Sequence, residues 1–81
     1  MQKDLDAIKD EVTTRIYGLY MAKFGGNKLR FAKAVGCDEK AIRLLFDKGQ
    51  GMTLNLLFKI SLALEIEPSK LLEGLSLKKE D

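Results

Sequence analysis

Residues 27–46 read NKLRFAKAVGCDEKAIRLLF, and their spacing decides how the rest of the chain is read. Leu29, Phe31, Ala32 and Val35 make the apolar side of one short helix. Asn27 stands where a side chain can accept a backbone N–H bond and open that helix. Gly36 stops it, because glycine takes the left-handed backbone that closes a helix without penalty. Asp38 follows two residues later, placed to cap a second short helix whose apolar set is Ala41, Ile42, Leu45 and Phe46.

Two short helices joined by about three residues, with glycine in the joint, form a helix-turn-helix arrangement. Generic helical bundles contain similar joints. Upstream, Leu5, Ile8, Val12, Ile16, Leu19 and Phe24 recur in steps that place them on one helical stripe. Gly18 weakens that helix by roughly 1 kcal/mol against alanine and marks either close packing or a break. Gly25-Gly26 ends it. Downstream, a glycine-containing loop leads to Thr53, a cap for a fourth helix with Leu54, Leu57, Ile60, Ser61 and Leu64 along one face. Leu56, Phe58 and Leu62 fall elsewhere around that helix, so a second face is buried in the domain core or against a second subunit. Pro68 suits the first turn of a fifth helix, where its missing N–H costs nothing. Leu71, Leu72 and Leu75 give that helix its buried side, and Gly74 allows its close. No segment alternates apolar and polar residues as a half-buried strand does. The expected fold is all-α, a five-helix bundle with an extended first helix. It is a single domain over residues 1–75, with a flexible polar tail over 76–81.

Composition narrows the chemistry. The chain has 81 residues, 46% hydrophobic and 32% charged, with one cysteine and no histidine. That mix is globular. A disulfide framework and a Cys/His zinc site are excluded, as is any acid–base or nucleophilic chemistry built on histidine. The adjacent acids Asp10-Glu11 and Asp38-Glu39 point about 100° apart on a helix and have no accompanying ligand. The reading is therefore not an enzyme, with no metal and no cofactor. The most apolar run, residues 54–64, is far shorter than the roughly 20 residues a membrane span requires. The opening MQKDLDAIKDE has no apolar core and does not resemble a secretion signal, so a cytoplasmic location is expected.

The net charge of +2 is small, but it is unevenly placed. Residues 1–22 set Lys3, Lys9 and Arg15 against Asp4, Asp6, Asp10 and Glu11. Residues 49–81 are also slightly acidic. Residues 23–48 carry Lys23, Lys28, Arg30, Lys33, Lys40, Arg43 and Lys48 against only Asp38, Glu39 and Asp47. An anionic partner can use such a footprint. A lysine-rich solvated face gives the same count without any partner. Cys37 reads as a small apolar residue at the turn, because reactivity needs exposure and a lowered pKa. Tyr17 and Tyr20, three apart, read as packing residues, since base stacking suits single strands.

The run NKLRFAKAVGCDEKAIRLLF, followed by GMTLNLLFKISLALEIEPSKLL over residues 51–72, resembles the helix-turn-helix domain of lambda-repressor and Cro-type regulators, the XRE family. The likeness extends over about residues 16–72. Its more specific part is the second block, with Thr-Leu, then Leu-X-Lys-Ile, then Ala-Leu-X-Ile-X-Pro-Ser-X-Leu-Leu. Those residues carry the fold and not the DNA site. The resemblance implies that Asn27 and Lys28 occupy phosphate-contacting and first-base positions, where the family has Ser or Thr followed by Gln. It makes Ala32 the packing alanine and Gly36 the turn glycine. It puts Asp38 at the cap of the recognition helix, with Glu39, Lys40 and Leu44 as base readers and Arg43 facing the flank. Lysine can donate to guanine, glutamate can accept from cytosine, and leucine can touch a thymine methyl. Arg43 and Lys48 suit phosphates, as do Lys28, Arg30 and Lys33 along the preceding helix.

The resemblance implies a sequence-specific regulator that binds double-stranded DNA as a homodimer. It is either an autonomous repressor or an antitoxin paired with a toxin or other protein partner. The chain departs from the family in three places. Ile42 to Gly49 is one residue longer than usual. Tyr20 or Met21 replaces an arginine near the end of the first helix. Asp38 and Glu39 put two acids at the end that enters the major groove. That acidic pair, Leu44 at a reader position and the small net charge motivate the alternative, a protein-interaction module of the same fold that no longer binds DNA.

Overall fold

Most stop signals divide the chain where the sequence places them, but the fifth helix ends at Leu71, short of the expected close at Gly74. The computed structural model describes residues 2–49 and 52–75, with side chains for 5–47, 49 and 52–75, and among these residues the chain is all helical. The five helices are α1 (Gln2–Phe24), α2 (Lys28–Val35), α3 (Glu39–Lys48), α4 (Leu54–Leu64) and α5 (Pro68–Leu71). The expected tail over 76–81 and the side chain of Lys48 lie outside the described residues.

The caps explain most boundaries. Asn27 Oδ1 accepts from the Arg30 N–H at 3.0 Å, and Thr53 Oγ1 accepts from the Leu56 N–H at 3.1 Å. Each satisfies one of the four amides that a helix start leaves open. Gly36 closes α2 with φ +90°, a conformation any Cβ would strain. Asp38 holds the extended backbone of a cap, but its carboxylate makes no bond to the α3 amides. The expected side-chain cap is thus absent, and only its backbone position is correct. Pro68 opens α5 as expected. Glu65 closes α4 at φ +56°, which costs a non-glycine residue roughly 1–2 kcal/mol. Its carboxylate meets Lys23 Nζ at 2.7 Å, tying the end of α4 to α1. The Lys23 hydrogen bond, with the ammonium's charge, holds that carboxyl below the usual glutamate range.

One core joins all five helices. Val12, Ile16 and Tyr20 of α1 meet Phe31, Ala32 and Val35 of α2, Ile42 and Leu45 of α3, Leu57, Ile60 and Leu64 of α4, and Leu71 of α5. Ser61, the buried polar residue among them, donates its hydroxyl to the Leu57 carbonyl at 2.9 Å. Arg15 fastens α5. Its Nη1 donates to the Leu71 carbonyl at 3.0 Å and the Glu73 carbonyl at 2.8 Å, while Nε meets Glu11 at 3.1 Å.

Several expected contacts differ. Gly18 is exposed, and a Cβ built there meets nothing, so it marks neither close packing nor a break in α1. Leu29 is exposed because it lies two residues, about 200°, around α2 from Phe31. Leu54 and Leu72 are also exposed, each at an end of its helix. On the second face of α4, Leu56 is half-buried, whereas Phe58 and Leu62 point outward and join no core. Leu5, in the first turns of α1, is exposed as well. Among the described residues no helix is long and apolar enough to cross a membrane.

Candidate nucleic-acid interface

Aromatic packing sets the position of α3. Phe46 meets Tyr17 of α1 edge-on, with ring centroids 5.1 Å apart at 89°. It also lies 5.1 Å from Tyr20 and stacks parallel to Phe31 of α2 at 6.2 Å. Tyr20 and Phe31 are 5.0 Å apart, and Phe24 adds a fifth ring 5.2 Å from Phe31. Such pairs contribute about 0.5–1.5 kcal/mol each beyond the area they bury. They hold α3 at a defined angle to α1 and α2, which a helix needs if its outer face is to meet a rigid ligand.

Tyr20 stands at the centre of this cluster with a buried hydroxyl that has no partner among the described residues. Burial pushes its pKa up, and the nearby Tyr17 and Glu39 push it the same way. Cys37, at the α2–α3 turn, is half-buried, and burial raises its thiol, with Asp38 adding and Lys59 opposing. That is the environment of a packing residue and not of an activated nucleophile.

Two shallow depressions share Asp47, one on the outer side of α3 and one where α1, α2 and α3 meet. One is lined by Lys40, Arg43, Leu44 and Asp47. The other is lined by Lys28, Thr13, Thr14, Tyr17, Phe46 and Asp47. Four expected site residues line these depressions. Lys40 and Arg43 are exposed, Leu44 and Lys28 are half-buried, and all four border this surface. Glu39 lies at the start of the same helix, where its carboxylate holds Arg43 Nη2 at 2.9 Å. Asn27 and Arg30 are exposed at the start of α2 but line neither depression. Asn27 Oδ1 is committed to the helix cap, which leaves its Nδ2 as the donor for a ligand.

Sequence reasoning missed Thr13, Thr14 and Tyr17. Their signal was present as a polar patch on α1 flanking the stripe Val12, Ile16 and Tyr20. Threonine hydroxyls beside a lysine add donors of the kind that bind phosphate oxygens. Asp47 and Glu39 supply negative charge within the same surface. Among the described residues, no three Cys, Asp or Glu side chains converge as a metal site would.

No family model, curated protein or solved structure matches this chain.

Proposed function

We propose that the protein is a helix-turn-helix domain of the lambda-repressor and Cro type. It binds double-stranded DNA sequence-specifically as a homodimer and regulates transcription, as a repressor or an antitoxin-like partner. In this reading α3 enters the major groove and α2 lies across the phosphate backbone. The observation that carries the reading is the outer face of α3. Lys40, Arg43 and Leu44 border one depression, and Lys28 borders the adjoining one beside two threonines. The two depressions meet at Asp47, and together they offer phosphate donors and base-edge readers. In a two-fold dimer the half-sites lie about 34 Å apart, one turn of DNA.

Fluorescence anisotropy with a random-sequence duplex at about 50 and about 200 mM salt tests it, because phosphate neutralisation releases counterions. Micromolar binding that falls steeply with salt is expected. Replacing Lys28, Lys40 and Arg43 together by alanine is expected to flatten the log–log salt slope by about 2, since the Lys28 and Arg43 phosphate contacts contribute about 0.9 each, and to weaken sequence discrimination through the loss of Lys40. A second reading, a protein-interaction module of the same fold, is favoured by the Glu39–Arg43 pair, which commits one of the two exposed cations among the described α3 side chains to an internal contact. No binding at the lower salt sinks the DNA reading and leaves this one.

A further inference from the structure

We infer that the outer face of α4 is a self-complementary surface on which a second copy of this chain docks antiparallel, with the two-fold axis at Phe58. The inference deepens the homodimer part of the function proposed above, for which no interface has yet been assigned.

Eight large apolar side chains are exposed among the described residues, and three of them share α4: Leu54 at 67%, Phe58 at 48% and Leu62 at 80%. Their spacing of four places them within roughly 80° of one another on the helix, one above the next. The stripe is symmetric about its centre. Phe58 has a leucine four residues before it and another four residues after it. An antiparallel copy related by a two-fold axis at Phe58 sets Leu54 against Leu62 of the partner subunit, and sets Phe58 against its own counterpart. An isologous contact requires this reciprocity.

The surface shape repeats the relation. At the C-terminal end of α4 a trough is lined by Phe58, Leu62, Ile66 and Pro68 together with Ser61, Glu65 and Glu67. At the N-terminal end Leu54 stands out from the helix as an exposed knob. The two-fold operation carries each knob to the other subunit's trough.

Charge also favours a second α4 as the occupant. Between Leu54 and Leu64 the only ionisable residue is Lys59, which lies about 100° from Phe58 and off the stripe. Two copies therefore bring no like charges face to face. The trough-side Glu65 is already paired with Lys23 of its own chain. The start of α1 is a poorer occupant, because Asp10 would meet the glutamates that line the trough. Three central side chains make a small contact, well below the about 800 Å² per partner of a standard interface. The dimer is accordingly weak, with a dissociation constant on the order of 10–100 µM.

The test is sedimentation equilibrium of the full chain without DNA, up to about 300 µM, on wild type, Leu54→Glu, Leu62→Lys and the double variant. Both positions are exposed, and the new charges suit the ends of the helix where they fall, so the monomer fold is preserved, as circular dichroism checks. Each single variant is expected to weaken dimerisation at least about ten-fold by leaving a charge against a leucine. The double variant is expected to recover to within about three-fold of wild type, because the new carboxylate of each subunit then faces the new ammonium of the other. Within one subunit the two substituted positions are eight residues and about 12 Å apart, so their charges cannot pair. A wild type that stays monomeric overturns the inference and assigns the stripe to a different partner. Single variants that dimerise like wild type overturn it, and so does a double variant no better than the singles. Because the readout is mass without DNA, a chain that dimerises as stated but ignores DNA sinks only the DNA reading.

Discussion

The outer faces of α3 and α4 are neighbours in sequence, with 10 residues in one helix and 11 in the other, and both are exposed. Their inner faces are alike. Ile42 and Leu45 enter the core from α3 as Leu57, Ile60 and Leu64 do from α4. Their outer faces are opposite in chemistry. That of α3 presents Lys40, Arg43 and Asp47 around a half-buried Leu44. That of α4 presents Leu54, Phe58 and Leu62. Folding accounts for the inner faces of both helices and for neither outer face. A charged strip is indifferent to folding, and an exposed apolar stripe gains nothing from it. What the outer faces share is that the core does not explain either, so the proposals above give each a partner of its own chemistry, an anionic surface for α3 and an apolar one for α4.

Two phenylalanines put the contrast to its hardest test. Phe46 on α3 touches the rings of Tyr17, Tyr20 and Phe31, whereas Phe58 on α4 is 48% exposed. Phe46→Ala is expected to cost about 2–3 kcal/mol in urea unfolding, somewhat below the range for a fully buried ring. Phe58→Ala, measured dilute enough to keep the chain monomeric, is expected to cost no more than about 0.5 kcal/mol. Equal losses would mean that α4's outer face is part of the fold after all.

A smaller effect sharpens the α3 side. Glu39→Gln removes the carboxylate that holds Arg43 and leaves its shape in place. Duplex affinity is expected to rise about three-fold, because a like-charge repulsion of phosphate is removed and a guanidinium is freed. An affinity that falls would instead make Glu39 a base reader. The smallest effect belongs to the cluster behind α3. Tyr20→Phe deletes a buried hydroxyl with no partner among the described residues. Stability is expected to stay level or to rise by up to about 1 kcal/mol, because nothing is left unsatisfied. A loss above about 1 kcal/mol would reveal a hydrogen bond to that hydroxyl.

The helices and their ends were legible because they depend on local chemistry. Asn27, Gly36, Thr53 and Pro68 act on backbone groups within a few residues, so their roles can be read in order along the chain. The faces were less legible. Val12, Ile16, Phe31, Ile42, Leu45 and Ile60 follow the helical period into the core, but Leu29 and Leu54 look equally apolar and remain outside. Only the placement of neighbouring helices decides between them. Tyr20 was recognised as a packing residue, yet its central place depends on Phe31 and Phe46 arriving from two other helices. The candidate site divides in the same way. Lys40, Arg43 and Leu44 are close in sequence and were found together, whereas Thr13, Thr14 and Tyr17 join Lys28 only through tertiary folding.

The ring cluster behind α3 has an optical consequence. The chain has two tyrosines and no tryptophan, and both tyrosines lie in that cluster, 5.7 Å apart. Its ultraviolet fluorescence therefore comes from one spot, where Tyr17 borders the depression beside Lys28 and Phe46. A ligand seated on α3 alters the surroundings of that emitter, while a subunit docking on α4 has no tyrosine beneath it. Unlabelled protein can thus report which of its two outer faces has been covered.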